Sequence, residues 1–139
     1  MASDPITDDV IDLLAQIVDR FVTEYGTAAE AHGITTVQAK VLVALKEPLP
    51  MHRIAEKLKS ERSNVTGIID RLEARGLVER RAGERDRRIK NIVLTADGAE
   101  LARKFQRSLD FSAEPLAALA PADRVKLRDL LAKMVGARA

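Results

Sequence analysis

Six of the eleven residues from Arg80 to Lys90 are cations: Arg80, Arg81, Arg85, Arg87, Arg88 and Lys90, set against Glu84 and Asp86. Positive charge at this density suits phosphate binding, and the rest of the chain sharpens the contrast. Residues 1–52 carry net −5, residues 53–90 net +5 and residues 91–139 net +2, so the formal charge of +2 hides a basic middle third. That distribution is the electrostatic footprint of a phosphate-binding surface. For a basic run taken alone, the plain alternative is a solvated charged loop.

Other chemistry finds little to stand on. There is no cysteine, which excludes a disulfide scaffold, thiolate metal sites, a cysteine nucleophile and thiol redox sensing. His32 and His52 are twenty positions apart and show no metal-ligand spacing. Asp8, Asp9 and Asp12 crowd the start of the chain, where they read as first-turn helix acids rather than as a catalytic pair. No phosphate-cradling glycine loop and no nucleophile elbow occurs. The expectation is no catalytic residue, no metal and no cofactor. Aromatic residues are 3% with no Trp, which disfavours stacking on single-stranded nucleic acid.

The elements that must carry the basic run follow from length and periodicity. A chain of 139 residues is one domain by the usual span of roughly 100–200 residues. Its 46% hydrophobic and 32% charged residues suit a folded, soluble protein. The aliphatic run Val41 to Leu45 is too short to span a bilayer, and residues 1–5 have no basic, apolar leader. A cytoplasmic location without membrane contact is expected.

Val10, Leu13, Leu14, Ile17 and Phe21 form one helical stripe, with Thr7 as the expected cap and an end near Gly26 or shortly after. Thr35 and Gln38 form a capping box for a second helix through Val37, Val41, Leu42 and Leu45, which stops before Pro48. A short third helix, about Met51 to Leu58, turns Ile54, Ala55 and Leu58 inward. A fourth has Ser60 as cap, Val65, Ile68, Ile69 and Leu72 on its buried face, and Gly76 where a left-handed residue is wanted. The period then changes to two. Leu77–Arg81 and Ile89–Leu94 read as strands around the polar loop 82–88. Thr95 caps a further helix through Ala99, Ala102, Phe105 and Leu109 towards Pro115. Pro121 opens a last helix with Leu127, Leu130, Leu131, Met134 and Val135 on one face.

Helix, short helix, tight turn, helix, strand, basic loop, strand is a helix-turn-helix followed by a β-hairpin. The stretch from Ser63 through Asp70-Arg71-Leu72-Glu73 to Gly76-Leu77-Val78-Glu79-Arg80 resembles the recognition helix and following strand of the MarR family of bacterial transcription regulators. Asp86-Arg87-Arg88, followed by the alternating strand to Leu94-Thr95, resembles that family's wing, and Thr35-x-x-Gln38 fits as well. The resemblance covers essentially the whole chain. Two positions depart from it: Met51 and Ala120 stand where helix caps are expected.

The resemblance implies a mainly α fold with a small β-hairpin, a winged helix-turn-helix flanked by N- and C-terminal dimerisation helices. About residues 35–95 would form the DNA lobe, and about 5–33 and 96–139 the dimer lobe. It implies a homodimeric regulator, expected to be a repressor, that binds a pseudo-palindrome in double-stranded DNA. A small aromatic or anionic effector would release it. The wing Asp86 would fix Arg88 for the minor groove, where Arg is favoured. Arg62, Ser63, Asn64, Thr66, Arg71, Arg85 and Arg87 complete the expected DNA-binding set. Arg71 and Arg75 are expected to pair with Glu73 or Glu79 or to touch phosphate. Phe21, Tyr25 and Phe105 are the aromatic candidates for an effector pocket, and with Phe111 they equally suit core or dimer packing. The rival reading is a winged-helix module that binds protein, which calls for an uncharged or acidic wing.

Overall fold

A computed structural model describes residues 4–60 and 62–137, with backbone alone for Arg62 and Ser63. The order is α1 (Pro5–Ala31), α2 (Thr36–Ala44), β1 (Leu49–Pro50), α3 (Met51–Leu58), α4 (Arg62–Ala74), β2 (Val78–Ala82), β3 (Lys90–Leu94), α5 (Ala96–Arg107) and α6 (Pro121–Met134).

α1 begins and ends elsewhere than its pattern suggested. Asp4, not Thr7, is the cap and accepts from the Ile6 amide at 3.4 Å, with Pro5 in the first turn. Gly26 lies inside the helix. The left-handed residue is Gly33, at φ +69°, after His32 Nδ1 has come within 2.7 Å of the Ala28 carbonyl. α2 starts as expected. Thr35 Oγ1 accepts from the Gln38 amide at 3.1 Å, and Gln38 Oε1 accepts from the Thr35 amide at 3.0 Å.

The tight turn after α3 is made by Lys59 at φ +51°, with the Ser60 amide donating to the Ala55 carbonyl at 3.0 Å. α4 closes in the same manner. Gly76 adopts φ +73°, and the Leu77 amide donates to the Leu72 carbonyl at 3.0 Å. The strands form a three-stranded sheet in the order β1-β3-β2, not a two-stranded hairpin. β2 and β3 pair from Val78↔Leu94 to Ala82↔Lys90, while β1 adds Leu49↔Ile92 and Pro50↔Asn91. Pro50 can sit there because β1 is an edge strand.

Val41, Leu42, Ile54, Val65, Ile69, Leu72, Val78, Ile92 and Phe105 are almost wholly inaccessible and form one core in the central lobe. Each such side chain contributes about 1.5–3 kcal/mol by leaving water. The terminal helices are different. α6 buries no residue, and α1 buries only Ala28 and Ala29 near its end. α6 also starts without a side-chain cap at Ala120, and α3 starts likewise after Pro50.

The central lobe is welded to α5. Thr95 Oγ1 donates to the Gly76 carbonyl at 2.6 Å and accepts from the Gly98 amide at 3.0 Å, and the Thr95 amide donates to the Leu77 carbonyl at 3.1 Å. α5 stops at Arg107 rather than running towards Pro115. There the Ser108 hydroxyl donates to the Phe105 carbonyl at 2.6 Å, and short turns follow to residue 119. Pro115 also disfavours helix at the residue before it.

Candidate nucleic-acid interface

α4 buries Val65, Ile69 and Leu72 completely and packs Ile68 on the same core. Its other side exposes Asn64, Thr66, Asp70, Arg71 and Glu73. The side chains of Arg62 and Ser63, and the helix start that Ser60 was expected to cap, lie outside the described residues. On that exposed side the uncharged polar residues Asn64 and Thr66 come first, with the acids Asp70 and Glu73 further along.

The hairpin loop is ordered by its own polar groups. The Gly83 amide donates to the Ile89 carbonyl at 2.7 Å, and the Ile89 amide donates to the Asp86 carbonyl at 3.1 Å. Asp86 Oδ1 accepts from the Arg88 amide at 3.0 Å and from Arg88 Nε at 3.4 Å. The Arg88 side chain remains 93% exposed. The carboxylate therefore holds the base of the Arg88 side chain while its guanidinium end projects into water. Arg85, Arg87 and Lys90 make no ion pair among the described residues and are exposed.

Not all of the basic run is available. Arg80 Nη2 donates to Asp70 Oδ1 at 2.5 Å and Nη1 donates to Glu73 Oε1, while Arg81 pairs with Glu79. The hydrogen bond that Arg80 donates to Asp70 raises the Arg80 pKa; burial opposes this, and the Glu73 charge adds to it. With Glu73 and Glu79 thus taken, Arg71 and Arg75 do not pair with them as expected. Arg75 Nη1 donates instead to the Gly33 carbonyl at 3.0 Å, and Arg71 is exposed without an ion pair among the described residues. A cleft of about 350 Å³ between the start of α3, α4 and β3 is lined by His52, Thr66, Arg80, Arg88 and Lys90. His52 and Lys90 join this basic cleft only through the fold, because α3 and β3 are far apart in the chain.

Residues 34–90, which span this helix-turn-helix and most of the hairpin, match the model of the MarR family. The HTH-type transcriptional repressor MdtR of Bacillus subtilis is 31% identical over 99 residues, covering 70% of this chain and 64% of that protein. CouR from Rhodococcus jostii RHA1, solved bound to p-coumaroyl-CoA, is 26% identical and has a TM-score of 0.77 over 95% of each chain. In sequence and fold, then, this chain is similar to the MarR-family regulators. S. aureus MepR in its DNA-binding conformation is 25% identical, with a TM-score of 0.78 over 91% of this chain and 96% of that one. The chain spans 64% of the length of MdtR and between 43% and 52% of the other curated relatives it matches.

The terminal helices leave a groove of about 490 Å³, lined by Val10, Leu13, Leu14 and Ile17 of α1 and by Leu127, Leu130, Leu131 and Met134 of α6. Most of these residues are exposed. The aromatic candidates are packed against other rings. Phe105 is 1% exposed in the core with Tyr25 edge-on at 5.1 Å, and Phe21 meets Phe111 at 5.2 Å.

Beside them is a feature that sequence reasoning missed. Glu24 of α1 accepts from the amides of Asp110, Phe111 and Ser112 at 2.7, 3.1 and 3.1 Å, and Arg20 lies 4.0 Å over the Phe111 ring. Desolvation pushes the Glu24 carboxyl up, but the three amide donors outweigh it and hold the pKa below its ordinary value. Burial, followed by the Glu24 charge, raises the Tyr25 phenol.

Proposed function

We propose that this chain is a sequence-specific, double-stranded-DNA-binding transcriptional regulator. It is a repressor that acts in the cytoplasm as a homodimer on a pseudo-palindromic site. The observation that carries the reading is the juxtaposition of the polar, exposed half of α4 with a wing tip whose Arg88 is held by Asp86. A helix presented in this way enters the major groove, and the arginine reaches the narrower neighbouring groove. Asn64, Thr66, Arg71, Arg85 and Arg87 line the same approach, with Arg62 and Ser63 at the helix start. Residues 35–95 serve as the DNA lobe, and 5–33 with 96–139 as the dimer lobe. The apolar groove of α1 and α6 supports the second part, since so much exposed aliphatic surface is suited to a partner copy. Two recognition helices would then stand about 34–36 Å apart on successive major grooves.

Release by a small aromatic or anionic effector is part of this reading, supported by the ligand seen in CouR. Such an effector acts by binding the DNA-incompetent arrangement better than the competent one. Phe21, Tyr25 and Phe105 are the side chains to probe by substitution, because Tyr25 of α1 meets Phe105 of α5 and Phe21 of α1 meets Phe111 in the turns just beyond α5.

Selection of duplexes from a random pool, followed by a salt titration on the winner, tests the core of the reading. Contact with about 6–10 phosphates makes affinity fall by roughly 10³–10⁵ between 50 and 200 mM salt. A flat salt dependence, or no selected duplex, would overturn it in favour of a protein-binding winged helix.

A further inference from the structure

Arg80 belongs to the basic run yet is spent internally. Its guanidinium reaches from β2 to two carboxylates three positions apart on the exposed flank of α4, Asp70 and Glu73. The side chain is 29% exposed, against 93% for Arg88 at the wing tip. Arg80 lies opposite Ile92 in the β2–β3 ladder, so the bridge joins α4 to the strands that carry the wing. A phosphate approaching Arg80 would meet two carboxylates already in place.

We propose that Arg80 is a positioning residue for DNA readout: by tying Asp70 and Glu73 to the wing sheet it fixes the rotation of α4 about its own axis, and it holds no phosphate itself. The inference rests on the DNA-binding reading above. Beneath α4 the contacts of Val65, Ile69 and Leu72 are apolar and non-directional, so they resist withdrawal of the helix more than its rolling. The bridge is directional, because a planar guanidinium fork fixes both carboxylates. Rotation matters because side-chain tips lie about 5–6 Å from a helix axis. A roll of about 20° moves them roughly 2 Å, which is beyond the tolerance of a base hydrogen bond.

Two variants of the full chain test this with charge controlled. The probes are the short duplex that wild type selects from a random pool and its scrambled counterpart. R80K keeps the cation but has no fork to span both carboxylates. The ratio of selected to scrambled affinity should fall on the order of tenfold or more, as when a base contact is lost. The slope of log affinity on log salt should not change. Asp70→Asn combined with Glu73→Gln removes two negative charges, so simple electrostatics tightens every duplex. The positioning role instead predicts tighter binding to the scrambled duplex and weaker binding to the selected one. Thermal unfolding of both variants, compared with wild type, identifies any loss of fold.

A wild-type ratio in R80K would overturn the proposal, whether the double variant keeps its ratio or loses it, the latter meaning that the carboxylates read bases themselves. If wild type selects no duplex at all, the DNA-binding reading fails first and takes this one with it.

Discussion

A methyl group added at Gly98 should destabilise the protein by about 3 kcal/mol, although glycine-to-alanine changes inside helices ordinarily stabilise. Gly98 lies in the first turn of α5, and a Cβ there would stand 1.9 Å from the Leu77 carbonyl oxygen and 2.9 Å from its carbon. Such contacts relax only at about 3.5 Å, so the start of α5 must withdraw by roughly 1.5 Å. That withdrawal stretches the bonds from the Thr95 amide to Leu77 and from the Thr95 hydroxyl to Gly76. Two hydrogen bonds at roughly 0.5–1.5 kcal/mol each, with overpacking strain of about 1–3 kcal/mol, oppose a helix-propensity gain of about 1 kcal/mol. Gly26→Ala is the control. Nothing lies within 4 Å of its Cβ position inside α1, so it should stabilise by about 0.5–1 kcal/mol. Urea unfolding at one fixed protomer concentration reads both, because association would shift apparent stability. Gly98→Ala as stable as wild type, with unchanged urea sensitivity, would refute the idea that the lobe and α5 are welded at this point.

Other substitutions probe the wing, the groove and the α1 carboxylate. Arg88→Ala should weaken binding to the selected duplex by about 1–3 kcal/mol and leave the unfolding midpoint unchanged, since the side chain is 93% exposed. Asp86→Ala should lose part of the same affinity, and wild-type binding by Arg88→Ala in a gel-shift titration would refute the role. Leu130→Asp places a charge in the α1–α6 groove, where an unpaired buried charge costs about 3–5 kcal/mol. Sedimentation at micromolar concentration should show dimer for wild type and monomer for this variant, and a dimeric variant would contradict the assigned surface.

Glu24 has its pKa lowered in the fold, so its contribution is present above the ordinary carboxyl value of 4.5 and is lost as pH falls through the lower folded value. Hydrogen-exchange protection of the Asp110–Ser112 amides should therefore drop below about pH 4.5 in wild type. It should be low and pH-independent in Glu24→Ala. Equal protection in the two proteins would refute the hydrogen bonds.

Much of the central lobe was legible because its signals are local. The Thr35–Gln38 box, the Thr95 cap, the buried set Val65, Ile68, Ile69 and Leu72, and the left-handed Gly76 each act within a turn or two of chain. Propensity, periodicity and capping operate at that range, so residue order alone specifies them. The same holds for Asp86 and Arg88, two residues apart, whose contact is a property of the loop. The charge asymmetry between the first 52 residues and the next 38 is likewise a property of composition, whatever the fold.

What tertiary structure decided is the set of contacts between distant residues. β1 is only two residues, Leu49 and Pro50, follows Pro48 and has no pattern of its own; it is a strand because Ile92 and Asn91 lie opposite it. Arg80 looked like one more free cation until the β2 register carried it to Asp70 and Glu73. Nothing in the residue order singles out Glu24, and three amides 86–88 residues away made it a cap for the turns after α5. The ends of α1 and α5 moved for related reasons, because a hydrophobic stripe does not say where backbone carbonyls find other partners. A charge in sequence is only a net sum. Its role is set by what stands within about 4 Å of it, and at Arg80 and Glu24 the neighbours come from other elements of the fold.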